Sequence, residues 1–319
     1  MVEKFKAMKV LVTGARGQLG QDVLKELNSV PHVGMDFEDF DITDESAVYA
    51  AFDKHEPTSV IHCAAYTAVD KAEDEPELCS QINEIGTRNI AKACRKTDAK
   101  IVYVSTDYVF PGTGEHFHKP SDPTGALSVY GKTKLAGEEA IAQLTDKYFI
   151  VRTSWVFGYG GNNFVNTMLR LGKERASINV VCDQVGSPTY TVDLAVMLAS
   201  MARSEKYGIY HATNEGICSW AEFATEIFRQ VKMDTVVNPI PSSEYSAKAK
   251  RPLNSRLCKA SLDEAGFDRL PHWKDALGRY LSCRFSYNNT IFGGPSAKTS
   301  VSSIMHPFKR GLEDGRKKK

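Results

Sequence analysis

Lys9-Val-Leu-Val-Thr-Gly-Ala-Arg-Gly-Gln-Leu-Gly20 is the stretch that decides how this chain folds. Residues 9–13 read as a buried strand. Glycines follow at 14, 17 and 20, and Leu19, Val23, Leu24 and Leu27 then recur at helical spacing. In a strand–turn–helix frame, Gly14 permits a tight turn, Gly17 lets backbone approach a pyrophosphate, and Gly20 lets the helix lie against the sheet. The helix N-terminus then offers free amides and a positive dipole to phosphates. Gly14, Arg16, Gly17, Gln18, Leu19 and Gly20 form the dinucleotide-binding candidate. A structural turn without a ligand is the competing reading.

Outward from this turn, strands at 32–36, 59–65, 100–106 and 148–154 alternate with helical patterns over 44–54, 76–97 and 129–145. That rhythm implies an α/β fold with a doubly wound parallel sheet (residues 1–155). After residue 155 the strands shorten (178–182, 208–212, 235–238) and helices fall at 163–174, 191–202, 219–231 and 272–281. We read 156–282 as a smaller α+β substrate lobe that lends one element back to the large sheet. Residues 283–319 are rich in Ser, Asn, Gly, Lys and Thr, and we expect a disordered or non-native tail.

The chain has 319 residues, 42% apolar and 25% charged, with a net charge of +1. That balance supplies no field for nucleic acid or a membrane surface. No apolar run reaches bilayer length and no leader pattern opens the chain. Seven scattered cysteines without Cys-x-x-Cys fit reduced thiols in a cytoplasm.

Asp36 stands 22 residues beyond Gly14, where a carboxylate accepts ribose hydroxyls and disfavours a 2′-phosphate. NAD is therefore favoured on charge, but Arg16 can meet that phosphate and NADP stays open. Asp41 and Ile42 border the adenine side. Cys63, Ala64 and Ala65 are small enough for a cofactor to cross the strand ends, although small residues also suit plain packing. Tyr130 and Lys134 lie four apart, on one face of a helix. Tyr130 is the candidate proton donor to a carbonyl oxygen, Lys134 the ammonium that lowers its pKa and fixes the ribose, and Thr106 the orienting hydroxyl.

Several segments in order carry a family resemblance: 63–73 (Cys-Ala-Ala-Tyr-Thr-Ala-Val-Asp-Lys-Ala-Glu), 105–114 (Ser-Thr-Asp-Tyr-Val-Phe-Pro-Gly-Thr-Gly), 130–138 (Tyr-Gly-Lys-Thr-Lys-Leu-Ala-Gly-Glu), 152–158, 162–164, 183–189 (Asp-Gln-Val-Gly-Ser-Pro-Thr) and 251–257 (Arg-Pro-Leu-Asn-Ser-Arg-Leu). Residues 8–281 resemble the extended short-chain dehydrogenase/reductase family and, within it, the dTDP-4-dehydrorhamnose reductases. The resemblance implies NAD(P)H-dependent reduction of a dTDP-4-keto-6-deoxy sugar, with Thr106, Tyr130 and Lys134 as the catalytic trio. It places Val69, Asp70, Thr106, Asp107, Tyr108 and Trp155 near the sugar, and Asn163, Gln184, Ser187 and Arg251 towards the nucleotide. Trp155 reads equally as a core aromatic. Some relatives dimerise through a divalent ion; here Val192 stands where a carboxylate near Asp22 is wanted. We expect no metal, and a homodimer is open. Other nucleotide-sugar ketoreductases, epimerases or dehydratases share the fold, as does a non-catalytic regulatory subunit of methionine adenosyltransferase.

Overall fold

The computed structural model describes residues 7–291. Strands β1 (Val10–Thr13), β2 (His32–Met35), β3 (Ser59–His62), β4 (Lys100–Thr106) and β5 (Tyr148–Thr153) build one sheet. Its order is β2-β1-β3-β4-β5, closed at the β5 edge by the strand Gly208–His211. All five pairings are parallel. The strands read as nearly continuous apolar runs because helices cover both faces. The order reverses between β1 and β3, and ligands of such sheets bind outside the carboxyl ends at that point.

Helices α1 (Gln18–Glu26), α2 (Glu45–His55), α3 (Val69–Ala72), α4 (Pro76–Ser80), α5 (Thr87–Thr97) and α6 (Val129–Leu144) fill the first half. Capping side chains define the starts of two of them. Asp44 accepts from Ser46 and Ala47 N–H at α2, and Ser128 accepts from Gly131 N–H at α6. The sequence predicts one uninterrupted helix over 76–97. The structure instead inserts a π-helical turn, Gln81–Gly86, between α4 and α5. Such turns rotate side chains out of register and recur at functional sites. This one turns Asn83 fully inward.

The second half carries α7 (Phe164–Glu174), α8 (Thr191–Ala202), α9 (Trp220–Val231), α10 (Ala260–Ala265) and α11 (Trp273–Ile291). Helix α8 crosses back to the large sheet. There Leu194, Leu198 and Met201 share a core with Val23 of α1, with Leu27 that caps its end and with Phe149. Asp22 is absorbed in this contact, accepting from the Thr191 hydroxyl at 2.6 Å. A second core, of residues beyond 155, is rich in aromatics, including Phe157, Tyr190, Phe223, Trp273 and Tyr280. Short parallel strands (Ser177–Val181 with Val236–Ile240) and a three-stranded patch (Cys218–Ser219, Val185–Gly186, Asn254–Ser255) frame it. Helices α3 and α10 have no counterpart in the sequence reading. Helix α11 runs beyond the expected end at 281; the rest of the expected tail, 292–319, lies outside the described residues. Among the described residues no helix is long and apolar enough to cross a membrane.

Candidate active site

The glycine turn sits at the switch point. Gly14 has φ +66°, and a Cβ there would lie 2.7 Å from Ala64 N, so the turn packs directly on the chain leaving β3. A Cβ on Gly20 would lie 2.1 Å from Gly14 O. Gly17 differs: a Cβ there would meet only Gly14 O, at 3.2 Å. Space is therefore open above the α1 N-terminus, whose amides have no side-chain cap. Open space over uncapped amides fits a pyrophosphate.

Asp36 follows β2 and accepts from Arg16 N–H at 2.8 Å. The exposed Arg16 guanidinium pairs with Glu38 and, at 3.6 Å, with Asp39. Asp41 holds its own turn, accepting from Thr43 N–H and hydroxyl, both at 2.8 Å. Ile42 is buried against Gly86. Cys63 and Ala64 are fixed to Thr13 through their N–H groups. Gln18 Oε1 accepts from Asn163 Nδ2 at 2.9 Å. Asn163, expected on the nucleotide side, thus lies against the glycine-turn helix, where it also caps α7.

Thr106 ends β4, buried beside Tyr130 in the first turn of α6. The two elements approach closely because residue 131 is glycine: a Cβ there would lie 2.4 Å from Tyr108 O. The Thr106 hydroxyl lies near enough to the Tyr130 phenol to favour its ionised form. It also donates to Asp107 Oδ1 at 3.0 Å and accepts from Tyr108 N–H at 3.2 Å. Tyr108 packs edge-on against Tyr130, with centroids 5.5 Å apart. Asp107 is 2% exposed. Its other oxygen accepts from the Ser255 hydroxyl. Burial pushes its carboxyl up to about 6, against hydrogen bonds from Ser255 and Thr106 that pull it down. Both Asp107 oxygens are thus engaged, one by Thr106 and one by Ser255.

Lys134 lies one turn further on α6, 2% exposed, with Nζ 4.0 Å from the Tyr103 ring centroid. The expectation that it depresses the Tyr130 pKa is not met. Burial holds the phenol above its ordinary value, and burial also lowers Lys134 to about 7. In a desolvated pair neither charged form is favoured.

Behind α6, Asn83 donates to Tyr66 O and Thr133 Oγ1, each at 3.1 Å, and accepts from Tyr66 N–H at 2.8 Å. It pins the loop after β3 to the helix that carries Tyr130. Deeper still, Arg152 and Glu138 form a buried bidentate pair, with contacts of 3.0 and 2.7 Å.

Asp70 and Arg251 meet as a forked ion pair at 2.9 and 2.7 Å, joining the loop after β3 to the second lobe. The hydrogen bond from Arg251 holds the Asp70 carboxyl below its ordinary value. Val69 is half-buried beside Asp70. Trp155 adopts φ +50°, a strained conformation for a bulky residue. It stacks on Trp220, with centroids 3.7 Å apart. Gln184 accepts from Trp220 Nε1 at 3.2 Å and donates to Ser242 at 2.9 Å. Ser187 is buried and donates to Gly216 O at 2.7 Å. Gln184 and Ser187 therefore brace the lobe. Sequence reasoning missed Ser255, Asn83 and Trp220; only Ser255 lay in a motif, 251–257.

A glycine turn at the switch point of a parallel sheet, with a Tyr-x-x-x-Lys helix against the end of β4, defines an oxidoreductase of the extended short-chain dehydrogenase/reductase class. Comparison with known proteins narrows this. The chain belongs to the family described as RmlD substrate binding domain, whose model matches residues 8–284. It is 44% identical over 278 residues to a dTDP-4-dehydrorhamnose reductase of Streptomyces griseus, covering 84% of this chain and 91% of that one. It is 41% identical over 280 residues to the spore coat polysaccharide biosynthesis protein SpsK of Bacillus subtilis (87% and 98%). A dTDP-4-dehydrorhamnose reductase from Bacillus anthracis, solved in complex with NADP, superposes with a TM-score of 0.84 at 44% identity, covering 87% and 99%.

Proposed function

We propose that the protein reduces the 4-keto group of dTDP-4-dehydro-6-deoxy-L-mannose, giving dTDP-L-rhamnose, with NADPH or NADH as donor. The relatives support the substrate class. The observation that carries the chemistry is the Tyr130 phenol beside the Thr106 hydroxyl, at the carboxyl end of β4.

The reduced nicotinamide supplies hydride to the carbonyl carbon. Gly14, Gly17 and the α1 amides hold its pyrophosphate, and Asp36 and Arg16 face the adenosine ribose. The exposed pairs of Arg16 with Glu38 and Asp39 are individually weak, so the guanidinium is free to exchange onto a 2′-phosphate. Tyr130 gives its phenolic proton to the carbonyl oxygen. A pKa held above the ordinary value keeps that proton in place at neutral pH, which suits an acid in the reductive direction. Thr106 orients the oxygen, and Asp107 orients Thr106. The phenolate left on Tyr130 is stabilised by the ammonium form of Lys134 and takes its replacement proton from solvent before the next turnover. Arg251 releases Asp70 and takes the diphosphate with the same planar fork. Residues 156–282 grip the nucleotide-sugar, Trp155 offers its face to the hexose, and the reaction runs in the cytoplasm.

The test is oxidation of NADPH and NADH in the presence of dTDP-4-keto-6-deoxy sugars, with the product identified by NMR. Formation of dTDP-L-rhamnose is expected. Turnover of other 4-keto sugars but not this one, or binding of a methionine adenosyltransferase without any turnover, would overturn the reading.

A further inference from the structure

We propose that His116, His118 and Asp122 form a binding site for one divalent transition-metal ion of the zinc class, on the loop between β4 and α6. This does not depend on the reductase reading. Each side chain offers one ligand atom, and these atoms all lie within 4.8 Å of one another. His116 Nε2 is 3.6 Å from Asp122 Oδ2. Two zinc bonds of about 2.1 Å meeting at a tetrahedral angle span about 3.4 Å, so this pair already stands near ligating separation. Drawing in His118 takes a side-chain adjustment of roughly 1 Å to reach the same spacing.

The ligands are held from behind. Asp122 accepts from Lys119 N–H at 2.9 Å, and Asp122 N–H closes the same turn on Lys119 O. The His118 ring lies flat on Phe110, with centroids 4.4 Å apart. Its backbone is clamped on both sides, N–H to Arg256 O and O to Cys258 N–H, each at 2.8 Å. Asn254 Nδ2 sits 3.5 Å from His118 Nε2 and already has a shorter bond, 2.8 Å, to His116 O. The ring nitrogen can therefore exchange Asn254 for an ion at little cost. Gly114, at φ +74°, leaves room for His116: a Cβ there would approach the ring Nδ1 at 3.3 Å. His116 is exposed, which opens an entry path.

Two imidazoles and one carboxylate, completed by water, suit Zn²⁺ or Co²⁺; Mg²⁺ and Ca²⁺ want oxygen donors. The sequence analysis expects no metal anywhere in this chain, and the cluster of His116, His118 and Asp122 is the observation that departs from it. The site also has a reason to matter. His118 pairs with Leu257, and the segment 251–257 carries Ser255 onto Asp107 and Arg251 onto Asp70. A bound ion staples that segment to the loop.

The experiment is titration of untagged, metal-free full chain with Co²⁺, followed by visible absorption and by displacement with Zn²⁺. We expect one Co²⁺ per chain, tetrahedral ligand-field bands without a thiolate charge-transfer band, and affinity at least tenfold weaker in His116→Ala and in Asp122→Asn. His116 is exposed, so His116→Ala keeps its fold and decides the matter alone. Equal affinity in the variants, a thiolate band showing that cysteines hold the ion, or no saturable binding would each overturn the proposal.

Discussion

The two halves of the active site are built in opposite ways. Around the glycine turn, contacts are made by backbone: amides without caps, and close approaches that only glycine allows. In the second lobe nearly every polar side chain expected to meet substrate is already engaged by another. Arg251 holds Asp70, Gln184 holds Trp220 and Ser242, Ser187 holds Gly216 O, and Asn163 holds Gln18. A site made of backbone accepts a ligand without rearrangement. A site made of paired side chains must trade partners. The first arrangement gives general cofactor affinity, and the second makes affinity depend on a ligand good enough to replace what it displaces.

Four experiments sharpen or break this contrast. The largest effect belongs to the platform under the first half. Glu138→Ala leaves Arg152 buried without its partner, and denaturant unfolding should show a loss of about 3–5 kcal/mol. Arg170→Ala, which removes an exposed pair with Glu174, should cost within ~0.5 kcal/mol. Similar losses for both would mean that the platform is no stiffer than the surface.

Tyr130→Phe should follow, lowering kcat by about 10²–10³ with cofactor affinity unchanged. Near-normal turnover would remove Tyr130 as the acid. Next comes Arg251→Ala. It should weaken dTDP-sugar binding by about 1.5–3 kcal/mol, the range for hydrogen bonds to charged groups, and leave NADPH binding alone. Equal loss of both ligands would erase the distinction between the halves.

The smallest effect concerns Asp107, the bridge between them. Its folded pKa, about 6, lies above the ordinary carboxyl value of 3.8, so the native state binds the proton more tightly than the unfolded chain. Its contribution to stability therefore falls as pH rises from about 4 to about 6 and then levels. Asp107→Asn cannot titrate. The stability of wild type minus variant should drop by roughly 2 kcal/mol between pH 4 and pH 7 in paired urea curves. A flat difference would show that the carboxyl is not held in its protonated range.

The sheet was legible because period and punctuation agree in it. Val10–Val12, Val60–Ile61 and Ile101–Val104 are apolar runs followed by turn or helix signals, and Tyr130 with Lys134 follows from helical spacing. What escaped depends on distance along the chain or on burial. Ser255 reaches Asp107 across 148 residues. The turn at Gln81–Gly86 is invisible in a helical pattern that runs straight through it, yet it aims Asn83. Spacing put Lys134 beside Tyr130 and charge chemistry then predicted a lowered phenol pKa. Desolvation of both groups, which no spacing records, reverses the sign.

The strand Gly208–His211 has a consequence for anyone who would recombine this scaffold. Because it zips onto β5 in register from Gly208–Phe149 to His211–Arg152, a cut at residue 155 would strip the sheet's outer margin and bare a row of hungry amides, a ready template for aggregation. Swapping sugar specificity by transplant therefore calls for two grafts, one before α8 and one after this strand, with the stretch between them left to its host.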